Sequence, residues 1–191
     1  MPKATKARRV TKSEWLEAGL RALASGGILN VRIDRLAREL GVARSGFYWH
    51  FRNRQDLYLQ MLDHWVHELT EVITENQEIL ALPPKERLLA ITDFVQTYDL
   101  GKYDSAIRQW AREDPVADEV ARKGYKLRIE FVKQAFRELG FVGDDLEMRT
   151  HLFVIYIGSE STAMPELSKA KRRRMAALRI DMLTQPGDDA R

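Results

Sequence analysis

LARELGVARSGFYWHF, residues 36–51, is the stretch that decides how this chain folds. Two short apolar-patterned segments meet at Gly41, a residue type that takes a positive φ without steric cost. Leu36, Ala37 and Leu40 recur at helical spacing before the glycine, and Phe47 and Phe51 stand four apart after it. The pattern reads as two helices packed across a tight turn. Ala37 is small where the helices approach, Val42 points inward, and the two Phe anchor the second helix. Arg44, Ser45, Tyr48 and Trp49 are left on the outward side. An arginine so placed can bond the O6/N7 edge of guanine, while Tyr and His can donate to phosphate oxygens.

Helical signals continue on both sides. Thr11-Lys12-Ser13-Glu14 reads as a capping box opening a helix to about residue 25, with Leu16, Leu20 and Leu23 inward and Gly26-Gly27 as its stop. Short helices are predicted over roughly 32–40, with Ile33 also inward, and over about 44–50. A long helix follows from near 54 to 80, with Leu57, Met61, Leu62, Trp65, Leu69, Val72 and Ile73 as its buried stripe. Prolines occur at 2, 83, 84, 115, 165 and 186, where they punctuate helices rather than interrupt them. Pro83-Pro84 opens a helix with Leu88, Ile91, Val95 and Tyr98 on one face, and a short one spans about 105–112. Asp114-Pro115 starts a helix to Leu139 with two apolar faces, Val116/Val120/Leu127/Phe131/Ala135 and Ile129/Val132/Phe136/Leu139. Asp144 with Glu147 reads as the cap of the next helix, and Pro165 as the start of the last. No stretch alternates as a half-buried strand does, so the fold is predicted to be all-α.

The composition agrees. Of 191 residues, 45% are hydrophobic and 31% charged, which excludes disorder for most of the chain. No apolar run approaches the ~20 residues of a membrane span. With no cysteine, disulfide scaffolds, thiolate-zinc sites and cysteine catalysis are excluded. The basic start, MPKATKARRV, has no apolar segment behind it, so a cytoplasmic protein is expected. The net charge is only +3, yet residues 1–60 hold 12 Lys and Arg against 5 Asp and Glu, and the remainder holds 19 against 23. A basic first third suggests that one end meets a polyanion, although a solvated basic tail would give the same count.

From Thr11 to about Leu62 the chain resembles the DNA-binding domain of the TetR family of transcriptional regulators. The resemblance rests on the Gly41-Val42 turn, on Tyr48-Trp49-His50-Phe51 closing the recognition helix, and on Arg52-Asn53-Arg54-Gln55-Asp56-Leu57 opening the long helix. It departs from the family at Ala43 and Arg32, where Ser or Thr usually caps each helix; Asn30 is the nearest capping residue to the latter. Gly46 lets backbone approach DNA but reads no base. The resemblance implies an N-terminal three-helix helix-turn-helix domain joined by a long helix to a larger helical ligand-binding and dimerisation domain, about nine helices in all. The boundaries expected are a basic flexible arm at 1–10, the helix-turn-helix at 11–57, the effector and dimerisation domain at 58–183 and a disordered tail at 184–191.

Candidate DNA-binding residues are therefore Arg32, Arg44, Ser45, Gly46, Tyr48, Trp49, His50 and Arg54. Tyr48 and His50 could instead be ordinary core-edge residues, and Arg8 and Arg9 a solvated tail rather than a minor-groove arm. The family also implies a homodimer through the last two helices, 144–163 and 165–183, for which Leu152, Ile155, Leu167, Met175, Leu178 and Met182 are candidates. It further implies an unknown small-molecule effector among the middle helices. His64, Trp65, Phe94, Tyr98, Arg108, Trp110, Tyr125 and Tyr156 could line that pocket or simply fill core. His64 and His67 have helical spacing that would allow a metal pair, but no third ligand stands near, so neither metal nor cofactor is assigned. Without a Gly-rich phosphate loop or a nucleophile with its base, an enzyme is not expected. The expected function is a ligand-responsive repressor that binds a near-palindromic double-stranded operator as a dimer. The alternative is an architectural DNA-binding protein of the same fold with no effector.

Overall fold

A computed structural model describes residues 9–186. The parts of the predicted arm and tail at 1–8 and 187–191, and the side chain of Leu69, lie outside the described residues. Every regular element among the described residues is helical. The chain divides into two compact units, residues 1–64 and 65–191.

The first unit contains α1 (Lys12–Gly26), α2 (Ile33–Glu39), a 3₁₀ helix (Arg44–Trp49) and most of α3 (Arg54–Val66). The capping box of α1 forms as the sequence suggests. Glu14 donates its amide to Thr11 Oγ1 at 3.3 Å, and the Glu14 carboxylate accepts from the Thr11 amide at 2.8 Å. Gly27 (φ 75°) ends the helix. Leu16, Leu20, Leu23, Leu36, Ala37, Leu57, Met61 and Leu62 are buried, and Ile33 and Leu40 are half-buried. The segment 44–50, expected as an α-helix, is a 3₁₀ helix instead. Ala43 offers no side-chain cap, and the tighter bonds Gly46 N–H to Ala43 O (2.9 Å) and His50 N–H to Phe47 O (3.0 Å) close the turn. Met61 belongs to this unit's core: a Cβ on Gly19 of α1 would come within 2.6 Å of its Sδ.

The helix predicted over 54–80 is not uniform. After α3 it widens into a π-helical turn, His67–Glu71, resumes as α4 (Val72–Thr74) and stops; α5 (Gln77–Leu80) begins afresh. Asn76 caps α5, its Oδ1 accepting from Glu78 N–H (2.9 Å) and Ile79 N–H (3.2 Å). The π turn inserts one residue into the helical register. The buried stripe therefore slips: Thr70 and Ile73 are buried, whereas Val72, expected inward, is exposed.

The second unit adds α6 (Pro84–Thr97), α7 (Gly101–Ala111), α8 (Pro115–Glu138), α9 (Gly143–Ala163) and α10 (Lys169–Thr184). Leu88, Ile91, Val132, Phe136, Phe141, Leu146, Phe153 and Ile180 form its core. Asp114 caps α8 as expected, accepting from the amides of Val116 and Ala117 at 2.9 and 3.2 Å. The buried face of α8, however, uses small residues. Ala117, Ala121 and Gly124 are buried, while Val116 and Leu127 are exposed. Small residues let the neighbouring chain come close; a Cβ on Gly124 would sit 3.1 Å from the Trp65 ring.

Four further expectations are corrected. Tyr98 follows α6 as its C-cap and is 60% exposed, so it does not join Leu88 and Ile91 inside. α7 begins at Gly101 rather than near 105, because a residue without Cβ can lie against the α9 carbonyls of Ile157 and Gly158. Asp144 does not cap α9: the helix starts one residue earlier with Val142 as N-cap, and Glu147 pairs with Lys133 instead. Pro165 lies in a turn, and α10 starts at Lys169 behind Ser168, whose Oγ accepts the Lys171 amide at 3.3 Å. Arg172 holds that turn by donating to the carbonyls of Leu167 and Met164 at 3.1 and 3.0 Å.

Candidate nucleic-acid interface and the cavity of the second unit

The 3₁₀ helix has one face sunk in the core and one in water. Phe47 stacks on Phe51 with ring centroids 5.0 Å apart and meets Trp15 edge-on at 5.5 Å. Phe47 and Trp15 are fully buried, and Phe51 nearly so. Aromatic packing of this kind fixes a short helix that has too few backbone bonds to fix itself. Gly41 turns the chain with φ 69°. On the outer face Trp49 is 81% exposed and Tyr48 53%, with Arg44 and Ser45 beside them. No atom stands within 4 Å of a Cβ built on Gly46.

Arg44 is oriented rather than loose. It pairs with Asp34 of α2 at 3.3 Å and donates Nη2 to Tyr48 Oη at 3.4 Å. Both members of the ion pair are more than half exposed, so the tether is weak and most of the guanidinium fork remains available. Asp34 was not legible as part of this site, since α2 presents it across the turn. His50 is placed differently from the rest. Its Nε2 donates to the carbonyl of Val10 at 3.0 Å, fixing the chain ahead of α1. Arg32 is exposed at the N-cap of α2. Arg54 is exposed in the first turn of α3, 5.6 Å from the Tyr58 ring. That turn has its own reciprocal cap: Asn53 Oδ1 accepts the Asp56 amide at 2.9 Å, and Asp56 Oδ2 accepts the Arg52 amide at 2.7 Å. The Arg52 amide, with a further bond from Gln60, holds the Asp56 carboxyl below its usual range.

The second unit encloses a cavity of about 40 Å³. Its wall is aliphatic and aromatic (Ile73, Ile91, Val95, Phe131, Val154, Ile157), with Thr70, Thr74, Asp104 and Arg128 as the polar groups. None of the eight residues proposed from sequence for a pocket lines it. Trp65 and Tyr125 stand behind it, their ring centroids 4.8 and 5.4 Å from the Arg128 guanidinium. Arg108 and Tyr125 border a separate open groove with Ile129, His151 and Ile155. Trp110 donates Nε1 to Asp114 at 3.2 Å, supporting the cap of α8. Phe94 and Tyr98 pack on each other at 4.8 Å, and Tyr156 lies under the Arg179 guanidinium at 4.1 Å. His64 is half-buried at the end of the first unit. The polar cavity residues escaped notice because each is unremarkable in its own helix; only packing brings α7, α8 and the π turn together. His67 bonds Glu71 at 3.0 Å, and no group of three potential metal ligands converges among the described residues.

On α9 and α10 an apolar surface remains uncovered. Leu152, Ile155, Leu178 and Met182 are 50–72% exposed, and all of these but Ile155 line a groove of about 380 Å³ with Met175 and Tyr156. Leu167 is half-buried in the turn before α10. No helix among the described residues is long and apolar enough to cross a membrane.

Residues 16–61 match the N-terminal domain of bacterial regulatory proteins of the TetR family. Over 79 residues the chain is 32% identical to the probable acrEF/envCD operon repressor of Escherichia coli K12, covering 40% of this chain and 34% of that protein. The chain thus spans about a third of the length of the curated relatives it matches. Solved structures extend the likeness in fold. A transcriptional regulator from Rhodococcus sp. RHA1 superposes with a TM-score of 0.70 at 16% identity, over 91% of this chain and 96% of that one. FadR from Bacillus subtilis, in complex with stearoyl-CoA, gives 0.69 at 14% identity, over 92% and 98%.

Proposed function

We infer that this chain is a DNA-binding transcriptional repressor of the TetR family, from the match of residues 16–61 to that family's N-terminal domain. It binds a near-palindromic operator as a homodimer and lets go when a small molecule occupies the second unit. The observation that carries the DNA-binding part is the two-faced 3₁₀ helix. A tryptophan 81% exposed beside an exposed tyrosine, on a segment otherwise locked by buried aromatics, is a surface kept for contact. In this reading Arg44 reads a guanine edge, while Ser45, Tyr48, Arg32 and Arg54 touch the backbone. The Gly46 main chain comes close to DNA, Trp49 packs on sugar or a thymine methyl, and His50 positions the arm by holding Val10.

The apolar face of α9 and α10 supports the dimer, since an uncovered aliphatic surface on two adjacent helices is relieved by a symmetric copy. The enclosed cavity with its buried ion pair supports an effector over a purely architectural role. An effector acts only if it binds the DNA-competent and incompetent forms with different affinity. The π turn after α3 lies in the helix joining the two units, where such a preference would be transmitted.

Selection from a randomised double-stranded library, with Arg44→Ala in parallel, tests the reading. The wild-type chain should recover a two-fold-related site, and the variant should relax preference at one position per half-site, losing about 1–3 kcal/mol there. Sequence-blind binding that disappears with salt would overturn it in favour of a general polyanion patch.

A further inference from the structure

Arg128 is held more firmly than packing alone requires, and one end of it is left over. Its Nε donates to Thr70 Oγ1 at 2.8 Å and its Nη1 to Asp104 Oδ2 at 2.7 Å. The rings of Trp65 and Tyr125 hold the plane of the guanidinium. The third nitrogen, Nη2, is buried and has no hydrogen-bond partner, on a side chain that lines the cavity. Buried donors are normally satisfied, and an unsatisfied charged one is rarer still.

The charges around it are unbalanced. Asp104 already accepts from Arg128 and, through Oδ1, from Trp65 Nε1 at 3.1 Å. A second guanidinium stands on the same side. A Cβ built on Gly158 would lie 3.0 Å from Asp104 Oδ2 and 3.8 Å from Arg108 Nη1. Arg108 itself donates to neutral oxygens, Ser105 Oγ at 3.2 Å and Gly158 O at 3.4 Å. Arg108 thus adds a second positive charge beside Gly158 without pairing with Asp104. Tyr125, beside both, cannot supply a second anion, because burial and Asp104 push its hydroxyl well above the ordinary phenol range. A group entering against Nη2 is therefore favoured if it brings one negative charge and accepting oxygens.

We propose that the cavity of the second unit binds a compact monocarboxylate, its carboxylate accepting from Arg128 Nη2 and its apolar body against Ile73, Ile91, Val95, Val154 and Ile157. The proposal rests on reading this chain as a ligand-responsive regulator. Size follows from the volume: about 40 Å³ is room for on the order of three waters, so acids of two or three carbons fit and longer ones do not.

Propionate, its amide and propylamine form a matched set of nearly equal shape and different charge. Calorimetry and thermal shift on the full chain should show propionate binding most tightly, the amide weaker by about tenfold or more, and the amine not at all. Decanoate should bind less well than propionate. Deleting the Arg128 charge would strand Asp104 and unfold the unit, so Arg128→Lys is used, read against its own thermal midpoint. It should weaken propionate by about tenfold or more. Val95→Phe, which fills the cavity without touching the ion pair, should remove binding. Equal affinity for the amide, indifference to Arg128→Lys, or no propionate binding at millimolar concentration would overturn the proposal. Release of selected DNA by the amine alone would also overturn it, while upholding the regulatory reading. Propionate binding that leaves the protein–DNA complex intact would uphold the site and overturn that reading.

Discussion

Phe47 and Trp49 sit two residues apart and do opposite work. Phe47 is fully buried between Trp15 and Phe51, whereas Trp49 stands in solvent. Phe47→Ala should cost about 3–5 kcal/mol in denaturant unfolding, the usual loss for a buried aromatic. Trp49→Ala should change stability by no more than about 0.5 kcal/mol. In fluorescence anisotropy Trp49→Ala should nonetheless weaken binding to the selected DNA. A Trp49→Ala chain that unfolds easily, or that binds as the wild type does, would remove the residue from the interface. Their opposite placement was legible in the sequence, because Phe47 and Phe51 share one helical face and Trp49 cannot lie on it. The placement of His50 was not, since its partner Val10 is forty residues away in the chain.

At the scale of elements, helix ends and close approaches are the sensitive points. The reciprocal cap of Asn53 and Asp56 at the start of α3 fixes the turn that carries Arg54. Asp56→Ala should lower stability by about 1 kcal/mol, the usual worth of such a cap. The pH sign follows from the Arg52 amide and then Gln60 holding the Asp56 carboxyl low. A carboxyl depressed in the folded state adds stability above its unfolded pKa of about 3.9, and that stability is lost as pH falls through the lower folded value. Asp56→Asn should therefore flatten the acid limb of a stability–pH curve below about pH 4; an unchanged limb would mean the bonds add nothing in solution. Gly101 marks a close approach, since a Cβ there would come 2.9 Å from Ser161 Oγ and 3.2 Å from the Ile157 carbonyl. Gly101→Val should cost about 1–3 kcal/mol by forcing α7 off α9, measured as a lowered denaturation midpoint against a Gly46→Ala control in open space. The π turn shows the limit of periodicity: one extra residue exchanged the expected Val72 for Thr70 on the buried side, and no residue pattern announced it.

For the molecule as a whole, the proposed dimer has the clearest test. Leu178 is 63% exposed within the apolar face of α9 and α10. Leu178→Glu should leave the fold intact and yield a monomer in analytical ultracentrifugation, with loss of tight binding to a two-fold site but not to a half-site. A wild-type chain that sediments as a monomer at the concentrations used for DNA binding would sink the dimer reading. Helical spacing, proline punctuation and the Gly41-Val42 turn were enough to determine an all-α chain, the order of its helices and the inner and outer faces of the recognition segment. They sufficed because each is a local property, set within one or two helical turns by steric and solvation preferences. Where α7 begins depended on what lay opposite it, at Gly101 against α9. The cavity depended on tertiary structure entirely. Thr70, Asp104 and Arg128 come from three separated helical segments, and nothing in any one segment distinguishes them from solvated residues. Only packing removes them from water, and in that low-dielectric setting an ion pair with a donor to spare becomes a site.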